Sequence, residues 1–227
     1  MIYAKHLRYP HTWEERKPVL HERVLFVPPF YSAHSRAALP DWKEPELFGK
    51  QGKLFIEYCS GNGAWIVQKA AHSPPFHWIA VEKKFDRVQK IWAKMQNAQL
   101  GNLLVVCGEA VTFTTHYLTE HSIDGVFINF PDPWPKAKHA KHRLLQPLFV
   151  KELARVLKIG GEVTLVTDDP VYALQMIEEM KKNTAFVPHF PAPYFVHDLP
   201  NYGASYFDTL WRTKGRAIHY IIFRRCA

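Results

Sequence analysis

Cysteine is scarce in this chain: three residues among 227, Cys59, Cys107 and Cys226, odd in number and widely spaced. That usage excludes a disulfide frame and a cysteine-based zinc site, and it reads as reduced thiols in a cytoplasm. Long apolar runs are missing too. No window reaches about 18 uninterrupted apolar residues, so no transmembrane helix and no membrane partner are expected. The opening stretch MIYAKHLRYPHTWEERK lacks the apolar core of a signal peptide. There is no internal repeat and no low-complexity segment. One local absence is sharper than these: from Pro133 to Lys151 there is no acidic residue.

What is present suits one domain with decorations. Hydrophobic residues make up 47% of the chain, enough for a substantial core, and the net charge is +8 with a pI near 9.3. Such an excess points to an anionic partner, although many basic proteins bind none. Residues 1–50 are rich in proline and aromatics, have weak periodicity, and read as an irregular N-terminal extension. From there strands and helices alternate. Strands are expected at 53–58, 77–82, 103–107, 123–130, 162–167 and 217–225. Helices are expected from 63, at 85–100, 111–118, 144–158 and 170–183, the fourth closed by a turn at Gly160-Gly161 and the last opened by Pro170. A proline-rich connection fills 184–203. This order implies an α/β fold, a mostly parallel twisted sheet with helices on both faces, over a single domain from 51 to 227.

In such sheets ligands bind beyond the carboxyl ends of the strands. The first strand ends in IEYCSGNGAW. Gly61 and Gly63, flanking Asn62, let backbone approach a ligand at a helix start. The dinucleotide fingerprint is incomplete, because Ile66 stands where its last glycine belongs. Glu57, four residues before Gly61, is a poor neighbour for a pyrophosphate and suits an ammonium or a sulfonium. The second strand ends in Glu82, placed to accept from two ribose hydroxyls. The third is followed by Glu109, where a carboxylate can accept from an adenine amine. Each feature has a plain alternative: an ordinary turn, a solvated glutamate beside Lys83 and Lys84, an acid favoured by a helix dipole. Three acids at three successive strand ends, the first followed by Gly-x-Gly, favour S-adenosylmethionine over a nicotinamide dinucleotide.

The fourth strand runs into NFPDPWPKAKHAKHR. Pro131 and Pro133 restrict the backbone on both sides of Asp132. A carboxylate held in this way can accept from two adjacent donors of a guanine, and Trp134 offers a face for a base. A proline-rich turn with Trp134 in the core is the alternative. Six of the eight residues from Lys136 to Arg143 are Lys, Arg or His. Lys136, Lys138, Lys141 and Arg143 have no acidic partner at helical spacing, so a polyphosphate backbone is their natural ligand. His139 and His142 lack a Cys or acid to complete a metal site, and no metal is expected.

With these residues in view, the segment NFPDPWPKAKHAKHRL closely resembles the signature of the bacterial tRNA (guanine-N7)-methyltransferase family, and the resemblance extends over about residues 52–225. It implies a Rossmann-like class I methyltransferase fold, S-adenosylmethionine as cofactor, tRNA as partner, and methylation of the variable-loop guanine at position 46. It further implies that Glu57, Glu82, Glu109 and Asp132 bind the cofactor, Glu109 standing for a more usual Asp. Asp132 also matches the catalytic position. Lys136 and Asp168, in VTDD, match substrate-binding positions. Counting back from Gly215, Ser205 and Asp208 stand for a Thr and a Glu. Guanine N7 carries a free lone pair, so attack on a sulfonium methyl needs no general base and catalysis reduces to positioning and electrostatics. The base has to leave its stack to react. Rival readings are a methyltransferase acting on an exocyclic amine, a nucleotide-dependent oxidoreductase, and an RNA-binding protein without activity. No face stands out as an interface, which leaves a monomer or a homodimer.

Overall fold

The structure is a computed structural model that describes residues 1–10, 17–29, 31, 33, 47–50, 52–203 and 205–226. The chain forms two compact units, Met1–Leu118 and Thr119–Ala227.

In the first unit the strands are β1 (Val19–His21), β2 (Val24–Phe26), β3 (Leu54–Tyr58), β4 (His77–Glu82) and β5 (Leu103–Cys107). Its helices are α1 (Ala64–His72), α2 (Phe85–Asn97) and α3 (Ala110–Tyr117). The sheet order is β1-β2-β5-β4-β3, parallel except for the β1–β2 pair. Every residue of β4 and β5 is buried, as expected of parallel strands that read as continuous apolar runs. On α2 the buried residues Val88, Ile91, Trp92 and Met95 follow the 3.6-residue period and give the helix one apolar stripe. Register aligns the strand ends, pairing Tyr58 with Val81, Glu82 with Cys107, and Cys107 with Phe26.

The β1–β2 hairpin lies within residues 1–50, which were expected to be irregular. Its two-residue turn places Glu22 (φ 48°) and Arg23 (φ 62°) in the left-handed region. That turn favours Asn-Gly or Asp-Gly, so Glu-Arg gives no warning of it. Tertiary bonds hold it: Arg23 donates to the carbonyls of Gly101 (2.9 Å) and Leu103 (3.2 Å). Three-residue strands are also too short to show a period.

In the second unit the strands are β6 (Ile123–Asn129), β7 (Leu157–Thr167), β8 (Phe186–Pro188) and β9 (His219–Arg225). The helices are α4 (Pro147–Val156), α5 (Pro170–Lys181) and α6 (Tyr206–Thr213), with a 3₁₀ helix at Ala137–His142. The order is β6-β7-β9-β8, with β6 and β7 parallel and β9 antiparallel to both its neighbours. Helix α5 packs on β7 and β9 through Tyr172, Met176 and Met180.

The glycine pair does not close a helix. Helix α4 stops at Val156 and β7 runs through Gly160-Gly161 as a bulge, since Ile123 pairs with Leu157 but Gly125 with Glu162. Gly160 takes φ +83°, and a side chain at Gly161 would sit 3.0 Å from the Asp124 carbonyl. Helix α6 and the short strand β8 were not expected. Among the described residues no helix is long and apolar enough to cross a membrane.

Gly63 opens α1 at φ +71°, and an added Cβ would lie 2.7 Å from Cγ1 of Ile91. Gly63→Val therefore combines a left-handed penalty with overpacking and should cost about 2–4 kcal/mol. At Gly101 an added Cβ meets nothing within 4 Å, so Gly101→Ala should shift the urea midpoint far less.

Candidate functional site

At the strand ends of the first unit, the loop after β3 is bent by three left-handed residues, Cys59 (φ 60°), Gly61 (φ 55°) and Gly63 (φ 71°). Ser60 fastens it from within, donating its amide to the Val81 carbonyl (3.2 Å) and its hydroxyl to the Glu57 carbonyl (2.9 Å). Glu82 fastens it from β4. The Glu82 side chain is buried, and Oε2 accepts from the Gly61 amide at 2.9 Å while Oε1 accepts from the Lys84 amide at 2.9 Å. Arg87 lies 3.8 Å away. Glu82 is thus no solvated surface acid. Its hold on the Gly61 amide also removes a donor that a pyrophosphate would need.

Glu57 is 2% exposed at the end of β3, so its carboxylate is sequestered from bulk solvent. Glu109 contrasts with it: the side chain is 56% exposed, with the Lys83 ammonium 4.0 Å off. Asn62 faces solvent, and its carbonyl accepts from Lys94 at 2.7 Å.

In the second unit β6 ends on Asn129, which is buried and accepts from the Tyr202 hydroxyl at 2.6 Å. The chain then turns through two non-glycine residues in the left-handed region, Phe130 (φ 48°) and Trp134 (φ 44°). Each such residue costs roughly 1–2 kcal/mol and persists only where surroundings hold it. Asp132, between them, is exposed, and no described residue bonds or pairs with its carboxylate.

The basic run folds as a 3₁₀ helix, whose three-residue turn sorts side chains by threes. His139 and His142 share the face toward Trp134, with ring centroids 5.8 and 5.3 Å from the indole. Lys138 and Lys141 share another face and are exposed, as is Lys136 at the helix start. Among the described residues no acid pairs with these three lysines.

Arg143 departs from expectation. It is buried rather than free for phosphate, donating from Nε to the Pro133 carbonyl (2.6 Å) and from Nη1 to Gln175. Ser205 and Asp208 depart as well. Ser205 caps α6, accepting from the Asp208 amide at 3.1 Å. Asp208 is buried, and both its oxygens are engaged, one by Arg212 Nε (3.0 Å) and one by the Tyr220 hydroxyl. Burial, then the bond to Asp208, pushes the Tyr220 phenol up to about 12. The S-x-x-D spacing is a helix-cap signal as much as a binding motif, and here it acts as the cap.

Asp168 accepts from Arg216 at 2.5 Å. It lines a cavity of about 520 Å³ with Asp169, His197, Arg216 and His219. Burial pushes the His219 imidazole below its ordinary value, against the Thr167 carbonyl 3.3 Å from Nδ1, and His197 adds to the push. His197, Arg216 and His219 carry no spacing motif, and nothing in the sequence singled them out. Among the described residues no three His, Cys, Asp or Glu side chains cluster as a metal site would require.

Comparison with known proteins adds to this geometry. A methyltransferase family, Methyltransf_4, matches residues 51–220. The tRNA (guanine-N(7)-)-methyltransferase of Chlamydia muridarum is 47% identical over 212 residues, 93% of each chain. Among solved structures, a 16S rRNA methyltransferase, KamB, superposes with a TM-score of 0.59 at 13% identity, covering 79% of this chain and 91% of that one. Haemonchus contortus phosphoethanolamine N-methyltransferase 2, solved with S-adenosylmethionine, reaches 0.53 at 14% identity over 79% of this chain and 50% of that one. Likeness at that identity shows the fold alone, a Rossmann-like class I methyltransferase fold.

Removing the α6 cap by Ser205→Ala should cost about 1 kcal/mol. Asp208→Ala should cost about 1–3 kcal/mol, since it takes the acceptor from the buried Tyr220 hydroxyl while Arg212 keeps Asp198 and the His197 carbonyl, each at 3.0 Å. Urea unfolding of the two variants reads both values.

Proposed function

The chain belongs to the tRNA (guanine-N7)-methyltransferase family, and from that membership we propose that it methylates N7 of a tRNA guanine, at variable-loop position 46, using S-adenosylmethionine. The observation that carries the reading is the 47% identity to a protein of that name over 93% of the chain. Residues 51–227 act as one methyltransferase domain, matched by the family over 51–220, and residues 1–50 as an extension to it. We assign the chain to the cytoplasm, where its substrate is found, as a monomer or homodimer.

The residues of the first unit fit the cofactor. S-adenosylmethionine supplies an electrophilic methyl on a sulfonium and carries an ammonium but no phosphate. Glu57, buried at the end of β3, accepts from the ammonium. Glu82 keeps lone pairs beyond the two amides it already holds, and these accept from ribose hydroxyls. Glu109 accepts from the adenine amine. Backbone around Gly61, Asn62 and Gly63 lines the methionyl end.

The second unit serves the base and the RNA. Guanine N7 needs no proton removed, so the task is to hold the purine and stabilise the positive charge it gains. Asp132 is suited to both: it is exposed, fixed between prolines, and unspent on any other described group. By resemblance Asp132 also matches a cofactor-binding position of the family. Trp134 offers a stacking face. Asp168, at the 520 Å³ cavity, contributes a second carboxylate to the base edge. Lys136, Lys138 and Lys141 grip phosphate. Ser205 and Asp208 act through α6, whose position they fix.

Labelled S-adenosylmethionine with unmodified bulk tRNA, followed by nucleoside digestion, should yield labelled 7-methylguanosine. Label on an exocyclic amine instead would establish the rival reading. Asp132→Ala should lower turnover at least 100-fold while tRNA Kd stays within about threefold. Equal loss of both would contradict the role of Asp132. Replacing Lys138 and Lys141 with Gln should flatten the salt dependence of tRNA binding by about 1.5 to 2 units of slope. An unchanged slope would place those lysines away from the RNA.

A further inference from the structure

The Asp132 turn has a difficulty of its own making. Pro131, Pro133 and Pro135 carry no N–H, so only Asp132 and Trp134 in that stretch have an amide to donate. Neither amide makes a backbone bond among the described residues. The turn is nonetheless bent by left-handed residues at Phe130 and Trp134. With neither amide in a backbone bond, the hydrogen bonds that hold this stretch run through its carbonyls, from a donor outside it.

We propose that Arg143 is that donor and acts as a positioning residue for Asp132 and Trp134, an inference that rests on the role given to Asp132 above. Arg143 is 7% exposed. Its Nε donates to the Pro133 carbonyl at 2.6 Å and its Nη2 reaches the Trp134 carbonyl at 3.4 Å, so one guanidinium spans the peptide groups that follow Asp132. Helix α5 anchors the other side. Gln175 accepts from Nη1, and the guanidinium carbon lies 5.0 Å from the centroid of the Tyr172 ring. The same two residues hold the chain just past Arg143: Leu145 donates to the Tyr172 hydroxyl at 3.3 Å and accepts from Gln175 Nε2 at 3.4 Å.

Only arginine fits this place. A guanidinium presents several donors in a rigid plane, and it stacks on an aromatic face; an ammonium is a flexible point charge that cannot serve three acceptors in those directions. The same bonding leaves Arg143 no donor plane directed at solvent, which separates it from Lys136, Lys138 and Lys141 in the same run. The basic run thus divides into cations that face outward and one that holds the turn.

Amide exchange and turnover test the proposal together, in Arg143→Lys, Arg143→Gln and the milder Gln175→Ala. The amides that flank the turn and are hydrogen-bonded, Phe130 to the Val166 carbonyl and His139 to the Lys136 carbonyl (both 2.8 Å), should exchange at least tenfold faster in Arg143→Lys and Gln175→Ala than in the parent, with α4 unchanged. The kcat for guanine methylation should fall tenfold or more while KM for tRNA moves less than twofold. Arg143→Gln should leave the salt slope of tRNA binding as it was. Unchanged exchange in the turn in both milder variants overturns the proposal, whether or not Arg143→Gln folds. A slope reduced by about one unit in Arg143→Gln makes Arg143 a phosphate ligand instead and overturns it as well. If exchange responds but the parent methylates no guanine, the proposed function fails and the bracing of the turn stands.

Discussion

The Glu82 carboxylate takes the amide of Gly61 from the loop after β3 and that of Lys84 from its own loop, while the Glu82 carbonyl takes the amide of Gly108 from the loop after β5. Three loops from three parallel strands are tied to one residue. A buried carboxylate is costly unless its lone pairs are filled, so the loops and the acid stabilise each other. The register that pairs Glu82 with Cys107, and Tyr58 with Val81, brings the strand ends level for this to happen. The glycine loop keeps its left-handed bends because of it.

The second unit solves a comparable problem by other means. There the turn that carries Asp132 is rich in proline and poor in amides, so no buried acid could hold it by collecting N–H groups. A buried cation does so instead, through carbonyls. The two units therefore fix their functional loops with charges of opposite sign, each chosen by the backbone groups the loop has to offer.

Much of this was legible in the sequence, and the exceptions have physical causes. Strands β3, β4 and β5 and helix α2 follow apolar periods long enough to read, and their ends fall within a few residues of expectation. The β1–β2 hairpin has three-residue strands and a turn without the usual residues, so its information lies in β5, which it joins. Gly160-Gly161 did mark a special backbone conformation, but a bulge in a strand and a turn after a helix ask for the same residue. Asp132, Glu57 and Glu82 were singled out because chemistry at strand ends is a topological rule, and the structure places Glu57 and Glu82 at the ends of β3 and β4 and Asp132 just past β6. Arg143, Ser205 and Asp208 were read as ligands because composition does not reveal which way a side chain turns. Sequence shows that a residue is charged; only packing shows whether its charge is already spent.

The 3₁₀ helix has a consequence for how this segment can change. With about three residues per turn, inserting or deleting one residue before Lys138 would rotate all that follow by about 120°. An insertion would bring Lys138 and Lys141 to the indole of Trp134, a deletion would bring Ala140 and Arg143 there and turn His139 and His142 to the solvent, and either would take Arg143 from its place beneath the turn. Exchanges that keep chemical type leave that order intact; changes of length do not. The spacing from Asp132 to Arg143 is thus a ruler, and its length constrains this part of the chain more tightly than its composition does.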